Sequence, residues 1–139
     1  MAPSPVSRFG ETLGLVHGMR AAWVGLPTTL GVLTLARRFA RSELVTRGRD
    51  LSPGPFDMIH IFTMSQGVLE AELPEARKRL APGGAVWVSW PALGANLPSD
   101  LTEREVRILA GECALDPAAP CQLTERWLAL RLALPQSPI

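Results

Sequence analysis

The chain has 139 residues, enough for one domain built around one hydrophobic core. Its residues are 47% hydrophobic and 19% charged, with four tryptophans and a net charge of +1. This composition is typical of a globular protein, and the small charge argues against a chain that coats nucleic acid or an anionic membrane. Thirteen of the fourteen basic residues are arginine, which points to a GC-rich bacterial genome.

The first residues do not have the pattern of a targeting signal. Met1 to Pro5 lacks the basic start and apolar core of a signal peptide. The longest weakly polar run, Ala21 to Ala36, is too short for a membrane span and contains Pro27. We therefore expect a cytoplasmic protein with one domain over residues 1–139, flexible tails at 1–7 and 135–139, and a short helix or turn over 9–15.

The first strand is predicted at Arg20 to Leu26, an uncharged run after its arginine that suits an inner strand. Pro27 and the Thr28-Thr29 pair should open a helix, with a threonine as N-cap. Its spacing places one set of apolar side chains on a single face, namely Leu30, Leu33, Ala36, Phe39 and Ala40. Three arginines, Arg37, Arg38 and Arg41, should face water.

The middle of the chain predicts two strands and a helix. Residues 43–47 form a weak second strand, 48–55 a loop and 56–64 a strong, nearly uncharged third strand. Ser65 can cap the helix that follows. The apolar series of that helix is Leu69, Leu73, Ala76 and Leu80. Pro74 predicts a kink or a short break within it.

The stretch from Leu80 to Pro91 is the most distinctive in the chain. Pro82 with the Gly83-Gly84 pair is expected to end the helix. Residues 85–90 contain no charge and should form an inner strand of a parallel sheet. Trp87 and Trp90 alternate onto opposite faces, and Trp90, before Pro91, is the one we expect to be exposed as an anchor for a partner.

The last third predicts a helix over 101–115 and two short strands. Thr102 and Glu105 have the spacing of a capping box, and Leu101 with Val106 that of a hydrophobic staple. Residues 116–120 should form a loop, with strands at 121–124 and 127–134. The whole succession indicates an α/β fold with a mainly parallel sheet, helices on both faces and an antiparallel C-terminal strand pair.

Several of these segments also carry a family resemblance. They are Pro55 to Phe62, Leu73 to Arg77, Leu80 to Pro91, Asp100 to Glu103, and Trp127. Together they resemble the bacterial domain-of-unknown-function 3052 family, whose members are short. The resemblance implies a Rossmann-like fold similar to a truncated class I methyltransferase, without an established activity. Where family members have a basic, small-residue stretch after the Trp-Pro pair, this chain has Ala92 to Asn96.

A methyltransferase of this fold would need a site for S-adenosylmethionine. A glycine-rich loop should follow the first strand, but the chain has Gly25-Leu26-Pro27-Thr28-Thr29 there. An acidic residue should end the second strand, but the chain has Arg47. We therefore expect no cofactor and a non-catalytic binding or regulatory module. A small S-adenosylmethionine-dependent methyltransferase is the alternative.

Polar residues at the predicted carboxyl ends of the strands are the candidates for ligand binding. They are Thr28, Thr63, Ser65, Ser89, Trp90, Asn96 and Asp100. The competing interpretation is that they form turns and caps. No catalytic residue is assigned. A triad of His60 with Ser65 or Ser89 and with Asp57 or Asp100 lacks a nucleophile elbow, and His60 in an apolar strand is typical of a core histidine.

The remaining motifs concern metals, thiols and arginines. His17 and His60 with Cys113 and Cys121 lack metal-ligand spacing, so no metal is expected, and the cysteines should be reduced and buried.

The arginines Arg37, Arg38, Arg41, Arg47 and Arg49 could form a basic patch for nucleic acid or an acidic partner. A solvated helix face is the commoner meaning, so we expect a protein partner before a nucleic acid.

Overall fold

The computed structural model describes residues 5–135, and the predicted tails lie mostly outside them. Three α-helices lie within this range: α1 (Pro5–Thr12), α2 (Gln66–Arg77) and α3 (Glu103–Glu112). The strands are β1 (Arg20–Val24), β2 (Arg41–Val45), β3 (Phe56–Phe62), β4 (Leu80–Pro91), β5 (Asp116–Pro117), β6 (Cys121–Gln122) and β7 (Trp127–Ala133). Helix α1 begins within the segment predicted as a flexible tail. A two-residue strand, β5, lies where a loop was predicted.

The seven strands form one sheet in the order β2-β1-β3-β4-β7-β5, with β6 also paired to β7. Strands β2, β1, β3 and β4 are parallel, and β7 runs antiparallel to β4. The register aligns Trp23 with His60 and His60 with Trp87 across three neighbouring strands. The predicted parallel sheet with an antiparallel C-terminal end is therefore confirmed.

Two hydrophobic clusters cover the two faces of this sheet, which confirms the prediction of helices on both sides. One cluster joins α2 and α3 to side chains such as Ile59 and Val86. The other joins the segments before β1 and after it to side chains such as Trp23 and Trp87. Trp90 belongs to the first cluster and is buried, so its predicted role as an exposed anchor is wrong.

The segment after β1 is a 3-10 helix, Thr28–Leu35, rather than the predicted α-helix. Pro27 is its N-cap residue and no side chain caps it, so the predicted threonine cap is absent. Gly31 and the β-branched Val32 lower helix propensity here, and Leu30 has non-helical dihedral angles of −111° and 17°. The helix ends before Arg37, so the arginines that follow do not share a helix face.

Helix α2 passes through Pro74 without a break and ends at Arg77, three residues earlier than predicted. Pro74 is exposed, so the carbonyl group left without a partner one turn earlier, on Glu70, can reach water. Leu80 already pairs with Phe56 in the sheet. The Pro-Gly-Gly segment therefore lies within β4, where an added Cβ on Gly84 would sit 3.0 Å from the Phe56 carbonyl oxygen.

Helix α3 follows the sequence prediction closely. Thr102 is its N-cap and Glu105 completes a capping box. Leu101 and Val106 are both buried in the same cluster, as the hydrophobic staple predicts. At the start of α2, the Ser65 hydroxyl oxygen accepts a hydrogen bond from the Val68 amide at 3.3 Å, which confirms that cap as well.

Candidate functional site

The strand order reverses between β1 and β3, because the chain moves outward from β1 to β2 and then returns to the other side of β1. In open α/β sheets, ligands bind outside the carboxyl ends of the strands at such a switch point. The candidate site is therefore the edge at which β1 to β4 end. We call it the carboxyl edge.

Backbone groups pack tightly at the switch point. Gly25 follows β1 with a φ of 70°, and its amide donates to the Val45 carbonyl oxygen at 2.9 Å. A Cβ added to Gly25 would lie 2.8 Å from the Phe62 carbonyl oxygen at the end of β3. The glycine is required for a contact between two strand ends, so its close approach is to the protein's own backbone.

A buried carboxylate lies near the end of β2, but it belongs to α2. Glu72 is buried and accepts a hydrogen bond from the Gly48 amide. Arg47 places its Nη1 atom 3.7 Å from Glu72 Oε1. Glu72 was not among the residues predicted from the sequence, although its position next to Leu73 and one turn before Ala76 places it beside the apolar face of the helix.

The polar residues that follow β3 bind one another. The Thr63 hydroxyl oxygen accepts from the Ser65 amide at 3.1 Å, and Ser65 caps α2. Asp100 accepts from the Gln66 amide at 2.6 Å, which ties the long loop after β4 to the start of α2. These three candidates lie together at the carboxyl edge, and all three make turn or capping contacts.

Ser89 and Trp90 are inside the protein and do not line the edge. Ser89 is fully buried, with its Oγ atom 2.8 Å from His60 Nε2. The His60 ring is stacked on Phe62 at 4.1 Å, and burial lowers the pKa of His60 to about 3. His60 is therefore a neutral core histidine, as the sequence predicted, and cannot reach a substrate.

Asp57, one of the two aspartates considered for a triad, is engaged elsewhere. Asp57 lies at the amino end of β3, where its carboxylate accepts two hydrogen bonds from the Arg20 guanidinium at 3.0 and 3.1 Å. The same contact lowers the pKa of the Asp57 carboxyl. Of the ligand candidates, Thr28 and Asn96 are the exposed ones that the described contacts leave unoccupied.

The five arginines of the predicted basic patch are distributed over several segments. Arg37 donates to the Leu15 carbonyl oxygen at 3.0 Å, and Arg41 pairs with Glu43 at 2.9 Å. Arg47 faces Glu72, as described above. Arg38 and Arg49 are exposed. Three of the five guanidinium groups thus contact acceptors of the protein itself.

The described part of the chain offers neither a metal centre nor a disulfide. No group of three or more His, Cys, Asp or Glu side chains within residues 5–135 could hold a metal ion. Cys113 and Cys121 are free, half-buried thiols, and burial raises the pKa of each. The same residues include no helix with the length and apolar character to cross a membrane.

A cavity of about 280 Å³ opens at the carboxyl edge, between the start of the 3-10 helix and the turn before β7. Its lining comprises Thr29, Leu30, Thr124, Glu125, Arg126 and Trp127. Small-molecule sites usually measure about 300 to 1,000 Å³. This cavity is slightly smaller than that range, and the candidate ligand residues do not line it.

The sheet order and the covering helices define a Rossmann-like fold of the class I methyltransferase type. In the common Rossmann order, 3-2-1-4-5-6, one more strand lies outside strand 2. Within residues 5–135, β2 is the last strand on that side. The fold is therefore a shortened version of the methyltransferase architecture.

The solved structures that this chain matches include several methyltransferases. The chain matches an S-adenosylmethionine-dependent methyltransferase from Aquifex aeolicus with a TM-score of 0.70 and 12% identity, over 93% of this chain and 89% of that one. It also matches magnesium protoporphyrin IX methyltransferase from Synechocystis PCC 6803, with bound S-adenosylmethionine. That match has a TM-score of 0.67 and 12% identity, over 94% of this chain and 76% of that one.

The pyocyanin biosynthetic protein PhzM matches at a TM-score of 0.67 and 16% identity. This match covers 94% of the present chain and 54% of PhzM, so the chain spans about half the length of that protein. No family model and no curated protein matches the chain. At these identities the likeness establishes the fold alone, and the resemblance to the domain-of-unknown-function 3052 family stays a prediction.

Proposed function

We propose that this chain is a non-catalytic binding or regulatory module built on a methyltransferase fold. The observation that carries the proposal is the contact between Gly25 and the Phe62 carbonyl oxygen at the switch point. In a cofactor-binding version of the fold, the glycine after the first strand lets the backbone approach the ligand. In this chain the same freedom brings two strand ends together.

The contacts of the polar side chains support the proposal. Thr63, Ser65 and Asp100 make turn and capping contacts, as described above. Ser89 and His60 bind each other in the core. A catalyst needs acid, base or nucleophilic groups within hydrogen-bond reach of a substrate, and these groups are either buried or already engaged.

Apolar side chains at the carboxyl edge favour a protein partner. Met64, two residues after the end of β3, is 40% exposed, and Leu93, in the loop after β4, is fully exposed. The Asp100 amide donates to the Met64 carbonyl oxygen at 3.2 Å, so the loop that carries Leu93 returns to the end of β3. Exposed apolar side chains at one edge are typical of protein contact surfaces.

The competing function is that of a small S-adenosylmethionine-dependent methyltransferase, which is suggested by the bound cofactor of the Synechocystis neighbour. The residues of this chain fit that cofactor poorly. The loop after β1 packs on Phe62, and β2 is followed by Thr46 and Arg47 without a carboxylate. The carboxylate of Glu72 lies near the end of β2, but it accepts a hydrogen bond from the Gly48 amide.

The decisive experiment is thermal unfolding of the purified protein with saturating S-adenosylmethionine and, separately, S-adenosylhomocysteine. A ligand at a hundred times its dissociation constant adds about 2.7 kcal/mol, or about 5 to 11 °C for a domain of this size. We expect no shift with either compound. The methyltransferase from Aquifex aeolicus, treated in parallel, is the positive control. A shift of that size in the present protein would contradict the proposal.

A further inference from the structure

Strand β2 has an open edge. It pairs with β1 on one side, and no strand of residues 5–135 pairs with its other side. An unpaired strand edge presents a row of amide and carbonyl groups to which another strand can add. The five residues Arg41–Val45 are therefore a candidate interaction surface, which we call the β2 edge.

The direction of the backbone groups follows from the β1 contacts. The Val45 carbonyl oxygen accepts from the Gly25 amide on the β1 side. Because successive residues of a strand direct these groups to opposite sides, Ser42 and Leu44 direct theirs away from β1. The β2 edge thus offers the backbone groups of two residues, two positions apart, to an added strand.

Strand β2 also carries an exposed apolar side chain. Leu44 is 60% exposed although it lies in a strand. Edge strands that are protected from pairing with another chain usually carry charged residues or proline at their exposed positions. The apolar side chain at Leu44 therefore favours an edge that is covered in the working protein.

The charges on β2 identify what covers it. Arg41 and Glu43 are two residues apart, so they lie on the same face of the strand. We propose that a second copy of the chain pairs antiparallel with β2 about a two-fold axis at Ser42. Arg41 of each copy then lies opposite Glu43 of the other, so the edge is self-complementary, as a two-fold interface requires.

The backbone pattern suits this register. With the axis at Ser42, the outward groups of the two Ser42 residues face each other and form a hydrogen-bonded pair. Arg41 and Glu43 then fall in the non-hydrogen-bonded positions on either side, where side chains approach most closely. An axis at Leu44 would set Glu43 opposite Val45 and Arg41 opposite Arg47, a residue of the same charge.

Charge reversal tests the proposal. Sedimentation equilibrium of the wild-type protein should show a dimer. Arg41→Glu and Glu43→Arg should each weaken it by about tenfold or more, because two attractive pairs become repulsive. An equimolar mixture of the two variants should restore dimerisation as a heterodimer, since one copy then presents two carboxylates at the edge and the other copy two guanidinium groups. The matched control, Arg104→Glu on α3, makes the same charge change on an exposed residue away from the edge and should leave the dimer intact.

The mixture separates the interface from effects inside one chain. Arg41 and Glu43 also bind each other and Ser52 within the monomer, and mixing cannot repair those contacts. If a single variant fails to fold, the double reversal R41E/E43R keeps the internal ion pair and should dimerise. Leu44→Lys replaces the exposed apolar side chain at the edge with a charge and should weaken the dimer. A monomeric wild type, a dimer that ignores these changes, or a mixture that stays monomeric would overturn the proposal.

Discussion

The Nε2 atom of His60 lies 2.8 Å from Ser89 Oγ, and both side chains are fully buried between β3 and β4. No hydrogen-bond partner for the other ring nitrogen is found among the described residues. The imidazole is therefore held neutral in an apolar site, and burial lowers the pKa of His60 to about 3.

This pair predicts a loss of stability at mildly acidic pH. Below its ordinary pKa of 6.5, His60 takes up a proton in the unfolded chain but not in the folded one. The free energy of unfolding should therefore fall as pH drops from about 6.5 toward 3, by up to about 1.4 kcal/mol per pH unit. Urea unfolding between pH 5 and 7 measures this slope.

His60→Gln is the matched variant for this test, since its amide can still bond to Ser89 but does not titrate. The slope between pH 5 and 6.5 should disappear in it. Asp57 and Glu43, whose pKa values are lowered from 3.8 and 4.5 by contacts with Arg20 and Ser52, lose their contributions only at more acidic pH. An unchanged slope in the variant would show that His60 is not its source.

Replacing Glu72 should destabilise the fold. Glu72→Ala removes the acceptor of the buried Gly48 amide, and an unsatisfied buried donor costs about 1 to 3 kcal/mol. Glu72→Gln keeps an oxygen acceptor and should cost less. The exposed Arg47 contributes little to the pair, so Arg47→Ala serves as a control with a small effect. Urea unfolding ranks the three variants, and equal losses for alanine and glutamine would refute the hydrogen-bond argument.

The capping box of α3 gives a prediction about local stability. Glu105 Oε2 lies 3.1 Å from the Thr102 amide nitrogen, which has no partner inside the helix. Thr102→Ala should lower the free energy of unfolding by about 1 kcal/mol, and Thr102→Ser should restore most of it. Glu105→Gln keeps the acceptor and should have a smaller effect than Glu105→Ala. Amide exchange in α3 should rise in the alanine variants, and an unaltered exchange rate would count against the cap.

All four tryptophans should be shielded in the folded protein. Trp23, Trp87, Trp90 and Trp127 are each no more than 9% exposed. The chain has no tyrosine, so its intrinsic fluorescence comes from these residues. We expect weak quenching by acrylamide in buffer and strong quenching in urea. Trp90→Phe should not change the fraction of the fluorescence that acrylamide quenches in buffer. A clear decrease in that fraction would show that Trp90 is exposed.

Local sequence signals predicted the parts of the fold that depend on neighbouring residues. Uncharged β-branched and aromatic runs located β1, β3 and β4, since a strand covered on both faces tolerates no charge. The Ser65 and Thr102 caps were also predicted, because a cap is a contact within one turn. Burial of His60 followed from the apolar strand around it.

Other predictions failed where distant residues decide. Trp90 was expected to anchor a partner because it precedes Pro91, but α2 and α3 cover the face to which it points. The Pro-Gly-Gly segment resembled a helix stop, yet Leu80 pairs with Phe56 and extends the strand over it. The run of arginines was interpreted as a possible single basic patch. Three of its guanidinium groups instead contact Leu15, Glu43 and Glu72, which lie in different segments of the protein.

The fold class, the inner strands and the helix caps could be predicted from the amino-acid sequence, because hydrophobic patterning and capping act over a few residues. The contacts at the switch point and those of the buried polar groups could not be predicted in this way. Gly25 meets Phe62, Glu72 meets Gly48 and His60 meets Ser89 across long stretches of chain. Such contacts depend on which strands become neighbours in the sheet. The strand order is determined by packing throughout the hydrophobic core and not by neighbouring residues in the sequence.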